Sequence, residues 1–351
     1  MADINTDIST LAGKYILLND IDLNETQAGF DADTISGWIP IGDYSNRFTG
    51  IFNGNGNAIT NLWINRTSAN YVGLFGIIEN AQIKNLTVET AEGKEVKGQY
   101  HVGGIAGLVY TSSVTNSYFA GNVNGVGYVG GIAGYVKYSS SITNSHSTGN
   151  VSGVQYIGGI VGWVYSSSSI TNSYSTSNVS GDYRIGGIAG VVESSSSVTN
   201  SHSASNVSGN ERVGGIAGLV WSSSVTNSYF AGNVSGNDYV GGIAGYVRDY
   251  SSITNNAAIN PSVTGSINVN RVTGYIQGGT VTDNFALDDM SVIGSASGDA
   301  GISKTELELK TKATYSNATD AGGLGWLFDG NNDTNPWKID AGNGYPYLYW
   351  E

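Results

Sequence analysis

The chain has 351 residues, 51 glycines, only 4 prolines and no cysteine, which excludes disulfides and thiolate metal sites. Charged residues make up 12% and hydrophobic residues 40%, whereas a disordered chain would be richer in charge and poorer in hydrophobic residues. The net charge of −13 repels phosphate groups, and no apolar run reaches membrane-spanning length, so we expect no nucleic-acid partner and no membrane insertion.

Residues 1–58 are predicted to form an N-terminal cap and the first strands. Residues 15–23 are an apolar, strand-like run, and residues 38–42 and 48–54 are two further runs rich in Ile, Phe and Gly. An uncovered strand edge pairs with other chains, so a repeat protein must close its first coil. We therefore expect this segment to cover the N-terminal end.

A repeat of about 28 residues occupies residues 59–285. One anchor, Val-Gly-Gly-Ile-Ala-Gly or close to it, begins at Val102, Val129, Ile157, Ile185, Val213 and Val240. A second anchor, Ile/Val-Thr-Asn, begins at Val114, Ile142, Ile170, Val198, Val225 and Ile253. The β-branched residues alternate with small or polar ones, which indicates strands. Stacked copies predict an all-β fold, a right-handed parallel β-helix.

The second anchor always ends in the same residue type. These asparagines are Asn61, Asn85, Asn116, Asn144, Asn172, Asn200, Asn227 and Asn255. Asn tolerates a left-handed backbone and its amide can bond the coils on either side, so we predict a corner in every coil. The glycine pairs, such as Gly103 and Gly104, are interpreted as points of close backbone approach, since no helix and no Lys-Ser/Thr follow to make a phosphate loop.

Residues 286–351 are predicted to form a C-terminal cap. Ser303 and Glu306 have capping-box spacing, which predicts a short helix. The aromatic residues within 337–350 are expected to form a lid over the last coil.

Part of this cap has the spacing of an EF-hand calcium loop. The oxygen-bearing residues are Asp329, Asn331, Asp333 and Asp340. Thr334 replaces the glycine of the sixth position and Pro336 follows, so we interpret the segment as an acidic turn. We expect no cofactor, with Ca²⁺ as the alternative.

The repeated anchor, residues 19–23, residues 52–62 and the closing residues 344–348 resemble the GLUG-motif repeat proteins of bacteria. The resemblance spans nearly the whole chain. It implies a β-helix from an exported protein, such as an adhesin-like surface protein or the non-catalytic region of an immunoglobulin A peptidase. It implies no active site, because no family-wide site exists.

A polysaccharide-degrading β-helix enzyme is the alternative, and it requires carboxylates that cluster on one face. The acidic residues of the repeats are Asp182, Glu193, Glu211, Asp238 and Asp249, and we expect them to lie in turns and share no column. His146 and His202 share a column but lie two coils apart. We therefore predict that the chain is not an enzyme.

Three columns of outward residues carry the functional prediction. The first reads Trp63, Thr87, Tyr118, His146, Tyr174, His202 and Tyr229. The second reads Tyr71, His101, Tyr128, Tyr156, Arg184, Arg212, Tyr239 and Arg271. The third reads Leu108, Tyr135, Trp163, Val191, Leu219, Tyr246 and Tyr275. Stacked rings stabilise parallel sheets, and they also bind sugars and proteins.

The candidate ligand-binding residues are Tyr118, Tyr128, Tyr135, Tyr156, Trp163, Tyr174 and Tyr229. We expect a non-enzymatic, adhesin-like region at the bacterial surface or in the extracellular space, with a glycan or a host or cell-surface protein as its partner. A second alternative is an ice-binding protein. It rests on the paired Ser-x-Thr hydroxyl columns, such as Ser141 and Thr143, since regular hydroxyl arrays on flat β-helix faces resemble ice-binding surfaces.

Overall fold

The computed structural model describes residues 1–5, 7–24, 35–318, 322–340 and 344–351. It confirms an all-β parallel β-helix. Each complete coil has five short strands, and we number the five sheets that they build I to V in chain order. One coil runs through Ser141–Thr143, His146–Thr148, Asn150–Ser152, Gln155–Gly158 and Val161–Tyr165.

The strands of sheets I and II are as follows. Sheet I contains Lys14–Ile16, Ile51–Asn53, Gln82–Lys84, Ser113–Thr115, Ser141–Thr143, Ser169–Thr171, Ser197–Thr199, Ser224–Thr226, Ser252–Thr254 and Thr280–Thr282. Sheet II contains Ile21–Asp22, Ala58–Leu62, Thr87–Thr90, Tyr118–Ala120, His146–Thr148, Tyr174–Ser175, His202–Ser203, Tyr229–Phe230, Ala257–Ala258, Phe285–Leu287 and Ile302–Lys304.

Sheets III to V complete the coils. Sheet III contains Ile64–Asn65, Glu95–Lys97, Asn122–Asn124, Asn150–Ser152, Asn178–Ser180, Val207–Ser208, Val234–Ser235, Ser262–Thr264 and Ser291–Ile293. Sheet IV contains Tyr100–Gly103, Gly127–Gly130, Gln155–Gly158, Tyr183–Gly186, Glu211–Gly214, Asp238–Gly241 and Ile267–Asn270. Sheet V contains Phe75–Glu79, Ala106–Tyr110, Ala133–Lys137, Val161–Tyr165, Ala189–Glu193, Ala217–Trp221, Ala244–Arg248 and Thr273–Gln277.

Equivalent residues of successive repeats stand directly opposite one another. Ile142 pairs with Val114 on one side and with Ile170 on the other, and all three side chains are fully buried. Strands separated by about 4.8 Å thus give a continuous apolar file inside the β-helix. The predicted corners are also present, since φ lies between 49° and 60° at all eight asparagines of the Ile/Val-Thr-Asn anchors.

Two files of buried serines line the inner side of the turns that flank sheet I. The backbone N–H of Ser140 donates to Ser168 Oγ at 3.2 Å, and the N–H of Ser168 donates to Ser196 Oγ at the same distance. Backbone donors at a turn have no strand partner, so the hydroxyl of the next coil satisfies them. The serine-rich runs are therefore part of the core and not only solvent-exposed turns.

The second glycine of each pair makes room for the side chain that lies inside sheet II. A Cβ on Gly104 would clash with the ring of Phe119, and one on Gly215 would clash with the ring of Phe230. The predicted close approach is therefore present at these positions, with side chains as well as backbone as the neighbours.

The described parts of the two ends contain short helices. At the N-terminus these are a 3-10 helix, Ala2–Asn5, and an α-helix, Ile8–Leu11. At the C-terminus they are Glu306–Leu309 and Lys312–Ser316. The first C-terminal helix begins after Thr305 and not after Ser303, because Glu308 is the residue whose carboxylate accepts the N–H of the capping residue.

The C-terminal aromatic segment is not a lid over the last coil, which corrects the sequence prediction. It forms a small antiparallel sheet of Phe328–Asn332, Asn335–Lys338 and Tyr347–Leu348. This sheet lies along the outside of sheet II, where the stacked rings offer an apolar surface. Trp326 Nε1 donates to the carbonyl of Asn255 at 2.7 Å, and the Trp350 ring reaches His146 several coils away. The division of the chain at residues 58 and 285 stays a prediction.

Candidate functional site

Sheets IV and V meet at one corner of every coil, and two of the predicted columns lie on either side of it. One coil contributes Tyr128 and Tyr135, and the next contributes Tyr156 and Trp163. The ring centroid of Trp163 is 5.4 Å from that of Tyr128 and 5.2 Å from that of Tyr135. Four of the seven candidate residues therefore form one half-buried group, which we call the ring cluster.

The rings of this cluster stack face to face along the axis of the β-helix. Tyr128 lies 4.7 Å from Tyr156 at an interplanar angle of 5°, and 4.7 Å from His101 at 2°. Parallel coils impose this spacing. Since neighbouring rings cover the faces of Tyr128, it offers its edge and hydroxyl to a ligand rather than its π face.

The column on sheet IV has a left-handed backbone at every ring or arginine. φ is 57° at Tyr128, 60° at Tyr156 and 59° at Arg184. Bulky residues rarely adopt this conformation, which costs about 1–2 kcal/mol per residue. Ladder hydrogen bonds on both sides of each position hold it in place. The sequence prediction missed this feature because Tyr and Arg, unlike Asn, carry no signal for it.

The phenols of Tyr128 and Tyr135 keep their protons at neutral pH. Burial raises the pKa of both Tyr128 and Tyr135 above the ordinary value of tyrosine. Each hydroxyl can therefore donate one hydrogen bond and accept others. The cluster is chemically a set of neutral hydrogen-bonding groups on a rigid apolar support.

A cleft of about 260 Å³ continues from the ring cluster toward the C-terminal coils, and we call it the arginine cleft. Its lining residues are Tyr156, Trp163, Arg184, Val191, Glu193, Arg212, Leu219, Trp221, Tyr246 and Arg248. Burial raises the pKa of the Glu193 carboxyl, and the positive charges of Arg184 and Arg248 oppose the shift. The sequence prediction missed the cleft because its cations come from two sheets.

The other three candidate residues lie apart from this site, on sheet II. Tyr118 and Tyr174 stack on His146 from opposite sides, with centroid distances of 4.1 Å and 4.6 Å. Tyr229 is only 6% exposed, and its ring lies 5.8 Å from that of Trp337 in the C-terminal segment. Tyr229 therefore lies on the outer face of sheet II, but it is not open to a ligand, because the C-terminal segment covers this end of the column.

A groove remains where the C-terminal segment ends on sheet II. It has a volume of about 380 Å³, and the aromatic residues of its lining are Tyr118, His146, Tyr349 and Trp350. Asn116 and Asn144 from the corners lie beside them. Tyr118 is thus a candidate residue of sheet II that lines a groove.

Two of the predicted columns have a different member at one end. Ala58, and not Trp63, stands opposite Thr87. Asn268, and not Arg271, stands opposite Tyr239, because Asp238 pairs with Ile267 and Val240 with Val269. The spacing of the repeat is irregular at both ends, so counting along the sequence assigned the wrong residue to each column there.

The acidic residues are less dispersed than predicted. Glu211 and Asp238 stand opposite each other on adjacent coils of sheet IV, which corrects the expectation that no column is shared. Glu211 pairs with Arg212 at 2.9 Å, and Asp238 accepts a hydrogen bond from Asn268 Nδ2 at 2.8 Å. Both carboxylates therefore already have partners.

Tyr174 lies between the two histidines that share the sheet II column. Burial lowers the pKa of His146 to about 4 and that of His202 to about 3, so both are neutral at pH 7. Among the described residues, no three His, Asp or Glu side chains are grouped as metal ligands would be.

The calcium alternative rests partly on Asp329 and Asn331, whose side chains lie outside the described residues. The Asp333 carboxylate accepts hydrogen bonds from Asn144 Nδ2 at 2.8 Å and from the Tyr349 hydroxyl at 2.7 Å. It thus anchors the C-terminal segment to a corner of the β-helix. Calcium binding stays a prediction.

A family model of the GLUG motif matches residues 98–124, 125–152, 153–180 and 209–235. The chain contains GLUG repeats. Three of the matched segments are consecutive, and together they contain the whole ring cluster. The GLUG repeat is therefore the unit that places one sheet IV residue and one sheet V residue at each corner.

Two curated proteins are similar to parts of the chain. A stretch of 53 residues is 58% identical to a protein of Evansella cellulosilytica that is provisionally named a Gly-rich membrane protein, and it covers 15% of this chain and 6% of that protein. A stretch of 142 residues is 34% identical to Halomucin of Haloquadratum walsbyi, and it covers 39% of this chain and 2% of that protein. The chain thus spans a small fraction of these relatives.

A solved structure shares the fold of the GLUG repeats. It is a crystal structure from Bacteroides ovatus, provisionally named an immunoglobulin A1 protease, with 22% identity and a TM-score of 0.51. The match covers 99% of this chain and 90% of that one. At this identity it supports the fold alone. None of the helices in the described ranges is long and apolar enough to span a membrane.

Proposed function

We propose that this chain is the binding region of a bacterial surface or secreted protein, and that it binds glycan through the ring cluster. The observation that carries the proposal is the group formed by Tyr128, Tyr135, Tyr156 and Trp163. Rings held in register on a rigid support lose little conformational freedom when a ligand binds. Their hydroxyls and edges suit the mixed polar and apolar surface of a sugar.

The location is part of the proposal. One relative is named a membrane protein and the other Halomucin, and both names support the cell surface or the extracellular space. The absence of cysteine is compatible with either.

We also propose that the chain has no catalytic activity. The adjacent carboxylates, Glu211 and Asp238, already have partners, and His146 and His202 are neutral and separated by a ring. A polysaccharide-degrading enzyme would instead require an acid and a base that both face a substrate. Incubation with a panel of polysaccharides, followed by a reducing-sugar assay, tests this; release of sugar would overturn it.

A glycan array tests the binding proposal. We expect the intact chain to bind at least one glycan class, and Trp163→Ala to weaken that binding because Trp163 contacts three other rings of the cluster. Tyr156→Phe is the finer variant, since it keeps the stack and removes only the hydroxyl. Tyr250→Ala is the matched control, because Tyr250 is 92% exposed and lies outside the cluster. No binding to any glycan would overturn the proposal.

The Ser-x-Thr columns support a second candidate, ice binding. Ser141 pairs with Ser169 and Thr143 with Thr171, and this register continues along sheet I. Inhibition of ice recrystallisation by the intact chain, lost in Thr143→Val and Thr171→Lys variants, would favour this function over glycan binding. Growth of ice crystals at the same rate with and without the protein would remove it.

A further inference from the structure

We propose that the arginine cleft binds an acidic glycan, one that carries carboxylate or sulfate groups. The inference rests on the proposed glycan-binding function and names the chemical class of its ligand. It is carried by the placement of Arg184, Arg212 and Arg248 around a single cleft beside the ring cluster.

Arg184 and Arg212 stand opposite each other in the sheet IV column, which carries aromatic rings at its other central positions. Tyr183 pairs with Glu211 and Ile185 with Val213, so Arg184 stands opposite Arg212 on the next coil. Like charges at this spacing destabilise a sheet. The chain has a net charge of −13 and only 15 basic residues, so chance alone would seldom place two of them together here. An unfavourable like-charge contact at one place in an otherwise regular repeat is typical of a functional site.

The guanidinium groups are oriented by rings. The Cζ atoms of Arg184, Arg212 and Arg248 lie 4.9, 5.2 and 4.3 Å from the ring centroids of Tyr156, Tyr246 and Trp221. A guanidinium that lies over a ring keeps its N–H edge available, and this planar edge matches a carboxylate or sulfate in two-point hydrogen bonding.

Acidic residues of the protein pair with only some of the arginines of the cleft. Arg212 pairs with Glu211 at 2.9 Å and Arg248 with Asp249 at 3.8 Å, whereas Arg184 makes no ion pair with the described acidic residues. The Nε atoms of all three are buried without a hydrogen-bond partner. Glu193 is the one acidic residue in the cleft lining. The cleft lining itself therefore contains three guanidinium groups and one carboxylate, while the carboxylates of Glu211 and Asp249 pair with two of the guanidinium groups from outside the lining.

The shape of the cleft favours a sugar chain. Its volume of about 260 Å³ suits a short stretch of a linear polymer and not the surface of a folded protein. Arg184 and Arg212 repeat at the coil spacing of about 4.8 Å, so anionic groups along a polymer can meet successive cations. Trp163 and Tyr156 belong to both the cleft and the ring cluster, which makes the two parts one continuous surface.

Isothermal titration calorimetry with three hexasaccharides tests the proposal. Hyaluronan supplies carboxylates, chondroitin 4-sulfate supplies carboxylates and sulfates, and chitohexaose is neutral. We expect the two acidic probes to bind more tightly than chitohexaose and to weaken as ionic strength rises. Arg184→Gln combined with Arg212→Gln should lower their affinity by about tenfold or more, because hydrogen bonds to charged groups are lost.

Lys97→Gln is the matched control, since it removes one positive charge from sheet III, away from the cleft. We expect it to leave the affinity unchanged. The double arginine variant should melt at the same or a higher temperature, because a like-charge contact is removed, so a loss of binding would not reflect unfolding.

Equal affinity for chitohexaose and the acidic probes would overturn the inference, as would full affinity in the double arginine variant. In both cases binding at the ring cluster would leave the proposed function standing. Failure to bind any of the three probes, together with a negative glycan array, would overturn the proposed function as well.

Discussion

The backbone N–H of Ser145 donates a hydrogen bond to Ser173 Oγ, 3.2 Å away in the next coil. Both serines are fully buried, and the Ser173 hydroxyl in turn donates to the carbonyl of Thr171 at 2.9 Å. The same contact recurs from Ser117 to Ser228 before asparagine takes over at Asn256. From Ser117 to Asn284, the corner of each coil is therefore closed by a polar file inside the protein.

Removing one hydroxyl from this file should destabilise the β-helix. Ser173→Ala leaves the N–H of Ser145 buried without a partner, which costs about 1–3 kcal/mol. We expect a lower denaturant midpoint by circular dichroism. Ser180→Ala, at an exposed position of sheet III, is the control and should leave the midpoint unchanged. Equal midpoints for the two variants would show that water replaces the hydroxyl.

The asparagine corner should tolerate glycine better than alanine. Asn200 has a φ of 49°, where a Cβ is unfavourable and where Asn is less disfavoured than most residues. Asn200→Ala should therefore destabilise the chain by about 1 kcal/mol, while Asn200→Gly should be closer to neutral. Thermal melts of the two variants give the comparison. A more stable alanine variant would contradict the left-handed corner.

The C-terminal segment should detach when its central tryptophan is removed. Trp337 is 1% exposed, stacks on Trp326 at 4.7 Å and covers the ring of Tyr229. Trp337→Ala should cost about 3–5 kcal/mol, as is typical of a buried tryptophan. We expect faster hydrogen exchange in residues 322–351 and no change in the central coils. Leu327→Ala is the control, since Leu327 is 56% exposed.

The attachment of this segment should depend on pH through Glu351. Its carboxylate lies 3.6 Å from His202 Nε2, and burial raises the pKa of Glu351 to about 7. A carboxyl with a raised pKa stabilises the folded state below its unfolded pKa of 4.5, and this contribution is lost as the pH rises toward 7. Burial lowers the pKa of His202 to about 3, so its contribution has the opposite sign and is lost as the pH falls below 6.5.

The Glu351→Gln variant separates the pH-dependent contribution of Glu351 from that of His202. We expect the difference in unfolding free energy between the original chain and the variant to decrease as the pH rises from 4.5 to 7. Denaturant titration followed by tryptophan fluorescence measures it. Asp340→Asn is the control, because Asp340 is exposed. A difference that does not vary over this range would show that burial does not raise the pKa of the Glu351 carboxyl.

The ring cluster was partly predictable, and the arginine cleft was not. Columns follow from repeat spacing, so the spacing alone places Tyr135 opposite Trp163. That Tyr128 touches Trp163 depends on the angle between sheets IV and V, which the spacing does not contain. Arg248 enters the cleft for the same reason, from a column that the sequence did not single out.

The β-helix, its coil length and the corner asparagines follow from the repeats alone, because each coil meets the same steric and hydrogen-bonding demands and repeats the same residues. Tertiary packing sets which columns stay open to solvent. The C-terminal segment has no repeat to register it, and its position on sheet II comes from the fit of Trp337 and Trp350 against rings that are distant in sequence. Packing between non-equivalent surfaces leaves no period in the sequence, so the covered and the open faces could be distinguished only in three dimensions.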